Sequence, residues 1–155
     1  MRNHAARPVE VLLVEDNPGD VRLMRVAMRE GKALTRLSVA ADGVEALAFL
    51  RREGAHVNAP RPDIILLDLN LPQKNGREVL SEIKADESLR SIPVIVLTTS
   101  SADKDILQCY YLHANCYTVK PVDLERFLEV AKSIGDFWFS TVTLPGGAAR
   151  AGGRL

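Results

Sequence analysis

Short runs of apolar residues alternate along the chain with longer stretches in which apolar residues recur every three or four positions. Val9–Val14 (VEVLLV) predicts a strand that stops abruptly at Glu15-Asp16. Asn17-Pro18 then opens a helix. Asn suits the cap, Pro the first turn, and Asp20 the positive end of the helix dipole. Val21, Met24, Ala27 and Met28 keep helical spacing until Gly31 ends it. Leu34–Ala40 predicts a second strand, and Asp42 starts a second helix carrying Val44, Ala46, Leu47 and Leu50. Residues 53–62 (EGAHVNAPRP) have loop composition. Ile64–Leu67 and Pro93–Leu97 are unbroken apolar runs, as expected of strands covered on both faces. Leu71-Pro72 to Gly76 reads as a turn, Glu78–Ala85 as a helix, Thr98–Ala102 as a polar loop and 103–113 as a fourth helix. Cys116–Val119 is a short fifth strand, and 123–139 a last helix bearing Leu124, Phe127, Leu128, Ala131, Ile134 and Trp138.

A strand followed by a helix, repeated along the whole chain, calls for parallel pairing and right-handed crossovers. The expected architecture is an open, doubly wound sheet with helices on both faces. Residues 1–7 read as an N-terminal extension. Residues 146–155 (GGAARAGGRL) carry no apolar stripe and read as a flexible tail.

Composition narrows the function classes. At 155 residues, 46% apolar and 26% charged, the chain suits one packed domain. Lys plus Arg and Asp plus Glu each number 20, so the formal net charge is zero, and no general field draws the protein to nucleic acid. No apolar run approaches the roughly 20 residues that span a bilayer, so no membrane association is expected. The N-terminus lacks the pattern of a secretory signal. Two cysteines, Cys109 and Cys116, make no disulfide scaffold, and His4, His56 and His113 have no zinc-ligand spacing. A cytoplasmic protein with reduced thiols is the expectation.

In doubly wound sheets ligands bind beyond the carboxyl ends of the strands. The residues there are Glu15 and Asp16 after the first strand, Asp68 after the third, Thr98 and Thr99 after the fourth, and Lys120-Pro121 after the fifth. Taken singly, an Asp after a strand is usually a turn former and a Lys is usually solvated. Their joint arrival at one edge changes the reading. Converging carboxylates repel each other and persist where a cation neutralises them, and oxygen-only ligands favour Mg²⁺. A carboxylate beside a metal, an ammonium and a hydroxyl is a kit for phosphoryl transfer. The carboxylate attacks, and the other groups neutralise the phosphoryl oxygens.

These residues, each at the end of a successive strand, resemble the receiver domain of bacterial two-component response regulators over roughly residues 8–139. The turn Leu71-Pro72 to Asn75-Gly76 and the aromatic Tyr117, three residues before Lys120, add to the likeness. The resemblance implies a flavodoxin-like (βα)5 fold with a parallel five-stranded sheet, the domain running over 8–145. It implies that Asp68 accepts a phosphoryl group from a phosphohistidine on a sensor histidine kinase. Asp16, Asp68 and the backbone carbonyl of Asn70 would ligate Mg²⁺, and Glu15 would act through metal-bound water. Thr98 and Lys120 would bind phosphoryl oxygens, with Thr98 and Tyr117 as the switch pair. VEDNPGDVRLMR, DLNLPQKNGREVL, HANCYTVKPVDLERF and FWFSTVTLP resemble more narrowly the receiver-only regulators paired with bacterial and cyanobacterial phytochromes. One departure is Thr99, where many receivers carry a smaller residue. It would narrow access to the phosphoryl site.

Two other classes fit less well. A haloacid-dehalogenase-like phosphatase needs an acid–base Asp two residues after its nucleophile, where this chain has Asn70. A flavodoxin-like nucleotide binder needs a phosphate cradle after the first strand, where this chain has the acidic loop EDNPGD. Within the receiver reading no self-standing enzymatic turnover is expected. Too few residues follow Phe139 for an output domain, so output is expected through protein contact, phosphate relay or drainage of phosphate from the kinase. The last helix has more apolar residues than one buried stripe uses. With Leu124, Leu128, Ala131 and Trp138 facing the sheet, Tyr110, Cys116, Phe127, Val130, Phe137 and Phe139 are expected to form a homodimer interface on the face of the fourth helix, fifth strand and fifth helix. Residues 137–145 are expected to reach the partner as an arm.

Overall fold

The computed structural model describes residues 7–145. The flexible tail expected over 146–155, and the N-terminal extension apart from Arg7, lie outside the described residues. Five parallel strands form one sheet in the order β2-β1-β3-β4-β5, with β1 Val9–Val14, β2 Thr35–Ala40, β3 Ile64–Leu67, β4 Val94–Thr98 and β5 Cys116–Val119. The helices are α1 Pro18–Glu30, α2 Gly43–Arg51, α3 Gly76–Ala85, α4 Asp103–Tyr111 and α5 Leu124–Ile134. This is the doubly wound arrangement that the alternating pattern predicts, in the flavodoxin-like order that the resemblance implies. The chain order reverses between β1 and β3, which opens a crevice at their carboxyl ends.

The period-two alternation of side chains along each strand splits the core into two layers. Leu12, Val14, Ile65, Leu67, Val94 and Val96 face α2, α3 and α4, where they meet Leu47, Leu80, Ile83 and Cys109. Val11, Leu13, Ile64, Leu66, Ile95 and Leu97 face α1 and α5, where they meet Met24, Ala27, Phe127, Ala131 and Ile134. β3 and β4 are buried at every position, which is why they read as unbroken apolar runs.

The helix starts follow their caps. The Asn17 side chain accepts from the Gly19 and Asp20 N–H groups, Asp42 accepts from Glu45, and Asn75 and Glu78 form a reciprocal capping box. Because Asn75 is the cap, α3 starts at Gly76, two residues before the expected Glu78. Glycine is required there. A Cβ on Gly76 would lie 2.3 Å from the Asp68 carbonyl oxygen and 2.6 Å from the Leu69 Cα.

The end of the chain corrects the sequence expectation most. The α-helix expected over 123–139 stops at Ile134 and continues as a π-helical turn over Gly135–Thr141, where the Val142 N–H donates to the Phe137 carbonyl at 2.9 Å. The extra residue in that turn shifts the buried stripe. An α-helix would carry the stripe Phe127, Ala131, Ile134 on to Trp138, and the wider turn brings Phe139 inward instead. Phe127 and Phe139, expected at a dimer surface, are therefore buried in their own chain, 4% and 9% exposed. Leu124, expected against the sheet, is 65% exposed. The expected arm folds back: Val142 and Leu144 pack on the layer built by α1 and α5.

Candidate functional site

Each strand end is tied to its neighbour by one further backbone hydrogen bond. The Glu15 N–H donates to the Ala40 carbonyl at 2.9 Å, Asp68 to Val14 at 3.1 Å, and Lys120 to Thr98 at 2.7 Å. The sheet register therefore sets Glu15, Asp68, Thr98 and Lys120 side by side, and all four are buried. Lys120 is the hub. Its Nζ donates to Glu15 Oε1 at 2.6 Å, Asp20 Oδ2 at 2.8 Å and Asp68 Oδ2 at 3.2 Å. Burial works against its charge, but the bonds to Asp20 and Glu15 and the fields of Glu15 and Asp68 outweigh it, and they hold the ammonium above the ordinary lysine range. Burial pushes the Glu15 carboxyl up to about 7; the hydrogen bond from Lys120 opposes this and the charge of Asp68 adds to it.

Glu15, Asp16 and Asp68 each bring one carboxylate oxygen to within 4.8 Å of the others. A cluster of hard oxygen donors that remains under-neutralised by one ammonium fits a divalent cation of the Mg²⁺ type. Asp16 is the exposed member, open to an incoming ligand. Two local bonds shape the cluster. The Asn17 N–H donates to Glu15 Oε2 at 3.2 Å, and the Asn70 N–H donates to Asp68 Oδ1 at 3.2 Å. The second closes the loop after β3 so that Asn70 lies beside the Asp68 carboxylate.

Thr98 is fully buried, and its Oγ1 has no hydrogen-bond partner among the described residues. A buried hydroxyl without a partner costs on the order of 1–3 kcal/mol. A ligand oxygen at the crevice would remove that cost. Thr98 thus supplies an independent sign that the pocket takes an oxygen-rich group.

Tyr117 pairs with Val96, two residues before Thr98 on the neighbouring strand. It is half-buried; its hydroxyl donates to the Ser100 carbonyl at 2.9 Å and its N–H donates to the Tyr110 hydroxyl at 3.2 Å. Ser100 Oγ in turn donates to Asp105 Oδ2 at 2.6 Å, and Arg77 Nη2 donates to Asp105 Oδ1 at 2.5 Å. The loop between β4 and α4 is thereby joined to α3, α4 and β5. Of the residues expected at a dimer surface, Tyr110 and Phe137 are exposed, and Cys116 and Val130 are half-buried. Val130, Phe137, Trp138 and Thr118 line a groove of about 390 Å³ between β5 and α5.

Sequence reasoning missed Asp20 as a site residue. Its place in the first turn of a helix reads as complementing the helix dipole, and only the folded chain, which brings Lys120 after β5 to the first turn of α1, reveals its bond to Lys120. The one available hint was that α1 opens directly from the loop after β1.

Comparison with known proteins agrees with this geometry. The family model described as the response regulator receiver domain matches residues 11–132. The response regulator Rcp1 of Synechocystis is 45% identical over 145 residues, 94% of this chain and 99% of Rcp1. A structure of the phosphorylated cyanobacterial phytochrome response regulator RcpA is 49% identical, with a TM-score of 0.87 over 90% of this chain and 99% of RcpA. A structure of the Mn²⁺-bound form of Rcp1 is 46% identical, with a TM-score of 0.87 over 89% of this chain and 99% of that one. With its sheet order, its strand-end acidic cluster and its buried lysine all in place, this chain belongs to the response regulator receiver family.

Proposed function

We propose that Asp68 accepts a phosphoryl group from a phosphohistidine on a sensor histidine kinase, that the kinase is of the phytochrome class, and that the reaction depends on Mg²⁺. The observation that carries the reading is the convergence of Lys120 on the Asp68 and Glu15 carboxylates beside the unpartnered Thr98 hydroxyl. An Asp68 carboxylate oxygen attacks phosphorus in line with the departing imidazole. The new O–P bond forms as the N–P bond breaks, and the electron pair returns to the imidazole nitrogen, which takes up a proton. Lys120 and the Thr98 hydroxyl donate to the phosphoryl oxygens. Asp16, Asp68 and the Asn70 carbonyl would hold Mg²⁺, with Glu15 acting through water. The cation supplies charge neutralisation between the incoming phosphoryl group and the carboxylates.

The pairing with a phytochrome kinase is supported by the likeness, along nearly their whole lengths, to RcpA and Rcp1. Among the described residues no helix is long and apolar enough to cross a membrane, in keeping with a cytoplasmic partner. Phosphorylation would draw the Thr98 hydroxyl to a phosphoryl oxygen and bias the Tyr117–Ser100 contact, which changes the surface of α4 and β5. Signalling then proceeds by protein contact, without turnover of a separate substrate and without direct binding to nucleic acid. Relay or drainage of phosphate uses the same chemistry.

Label transfer from phosphorylated phytochrome kinases tests the reading. Transfer to the wild-type chain and none to Asp68→Asn is the expected result, and equal labelling of both overturns it. The chain pairs as a homodimer through Tyr110, Cys116, Val130 and Phe137. Sedimentation at micromolar concentration should show a wild-type dimer and a Phe137→Asp monomer, and a wild-type monomer removes this part of the proposal.

A further inference from the structure

Lys120 has three ammonium protons, and carboxylates receive all three. Two of those acceptors, Glu15 and Asp68, also belong to the cluster whose oxygens approach each other within 4.8 Å. A divalent cation in that cluster would draw on the same carboxylates that Lys120 uses, and its charge would repel the ammonium. A phosphoryl group on Asp68 would further remove that carboxylate as a charged acceptor. Asp20 is different. It comes from α1, its carboxylate serves Lys120 outside the clustered trio, and its side chain is 23% exposed. Its bond at 2.8 Å is shorter than that of Asp68 at 3.2 Å.

Asp20 is not needed to start α1. The Asn17 side chain already accepts from the Gly19 and Asp20 N–H groups at 2.9 and 3.1 Å. The Asp20 carboxylate itself reaches across to Lys120, one hundred positions along the chain.

We infer that Asp20 is a positioning residue: from α1 it tethers the Lys120 ammonium beside Asp68 when the cation and the phosphoryl group are bound. The bond to Asp20 holds Nζ, and the proton given to Asp68 Oδ2 turns to a phosphoryl oxygen. The inference rests on the proposed role of Asp68 as phosphoacceptor.

The test uses the full chain with acetyl phosphate as donor and beryllofluoride as phosphoryl mimic. Asp20→Asn should lower the phosphorylation rate at saturating Mg²⁺ by roughly tenfold, because a tether that fixes a charged donor is lost. The half-saturating Mg²⁺ concentration should move by less than about threefold, since Asp20 stands outside the clustered carboxylates. Asp20→Glu should recover part of the rate. In a Lys120→Met chain, adding Asp20→Asn should leave beryllofluoride affinity unchanged within about twofold, because the tether has nothing left to hold. A wild-type rate in Asp20→Asn overturns the inference. So does an equal loss of beryllofluoride affinity with and without Lys120, which would mean that Asp20 acts through the fold alone. An Asp68→Asn chain that still takes label is a separate failure and overturns the phosphoacceptor reading itself.

Discussion

Glu10 and Asp63 sit at the amino ends of β1 and β3, and Glu15 and Asp68 at the carboxyl ends of the same two strands. All four are buried to similar degrees, at 8% and 3% exposed for the first pair and 3% and 6% for the second. Their counter-charges differ. At the amino end the Glu10 N–H donates to Asp63 Oδ2 at 2.8 Å, Arg36 donates to Glu10 at 3.0 Å, and Arg7 lies 3.6 Å from Asp63. Each acid has its own arginine, and those side chains are 63% and 47% exposed. At the carboxyl end one lysine side chain, 5% exposed, is shared among Glu15, Asp20 and Asp68. Burial of a carboxylate therefore does not mark function here. Sharing one desolvated cation among several acids, with Asp16 adding a further negative charge, leaves a deficit that a divalent cation can fill.

The largest test of this contrast exchanges one acid at each end. Asp68→Asn should abolish labelling by acetyl phosphate, because an amide is a far poorer nucleophile. Asp63→Asn should leave labelling intact and lower stability by about 1–3 kcal/mol, through loss of the charged acceptor for Glu10 N–H. Labelling retained in the first variant, or lost in a folded second variant, would erase the distinction.

Metal binding comes next. Asp16→Asn should weaken Mg²⁺ by roughly tenfold or more, since a charged ligand becomes neutral. Calorimetry is the suitable measurement, because Trp138 lies on the π-helical turn after α5 and need not sense the site. An unchanged dissociation constant would place the cation elsewhere.

The glycines at the two ends should also part company. A Cβ on Gly76 meets backbone at 2.3 Å, whereas a Cβ on Gly31 meets only the Ala27 and Met28 carbonyls, both at 3.5 Å. Gly76→Ala should cost about 2 kcal/mol by overpacking and slow phosphorylation through displacement of Asp68. Gly31→Ala should stay within about 0.5 kcal/mol. Denaturant melts of the two variants decide it, and similar midpoints would mean that the Asp68 loop yields easily.

The smallest effect is on pH. Glu15 titrates near 4.5 in an unfolded chain and at about 7 in the fold, chiefly through burial. Across that window the folded protein keeps a proton that the unfolded chain has released, so stability falls as pH rises. The metal-free protein should lose stability steadily between those limits. Mg²⁺ should flatten the slope by favouring the ionised carboxylate, and Glu15→Gln should remove it. A metal-free stability that rises through the window would reverse the assigned cause.

The strands were legible because their burial is written as composition: Ile64–Leu67 has no polar position, and it sits in the sheet centre. The strand-end acids were legible because a parallel sheet brings every carboxyl end to one edge whatever the loop lengths. The fifth helix was only partly legible. Phe127 and Leu124 are both apolar and three residues apart, and sequence does not say which of them the sheet receives. The π-helical turn after Ile134 adds one residue to a repeat of about 3.6, and so it moves Phe139 inward and Phe137 outward.

Local pattern by itself determined the element order, the doubly wound topology and the set of residues delivered to the crevice, because each follows from hydrophobic period and chain direction. The tertiary structure alone decided that Lys120 is shared by three acids, that Asp20 on α1 is one of them, that the Thr98 hydroxyl has no partner among the described residues, and that Phe127 and Phe139 are core. These depend on how helices dock on the sheet. Docking is set by side-chain packing between residues far apart in the chain, and no local pattern records it.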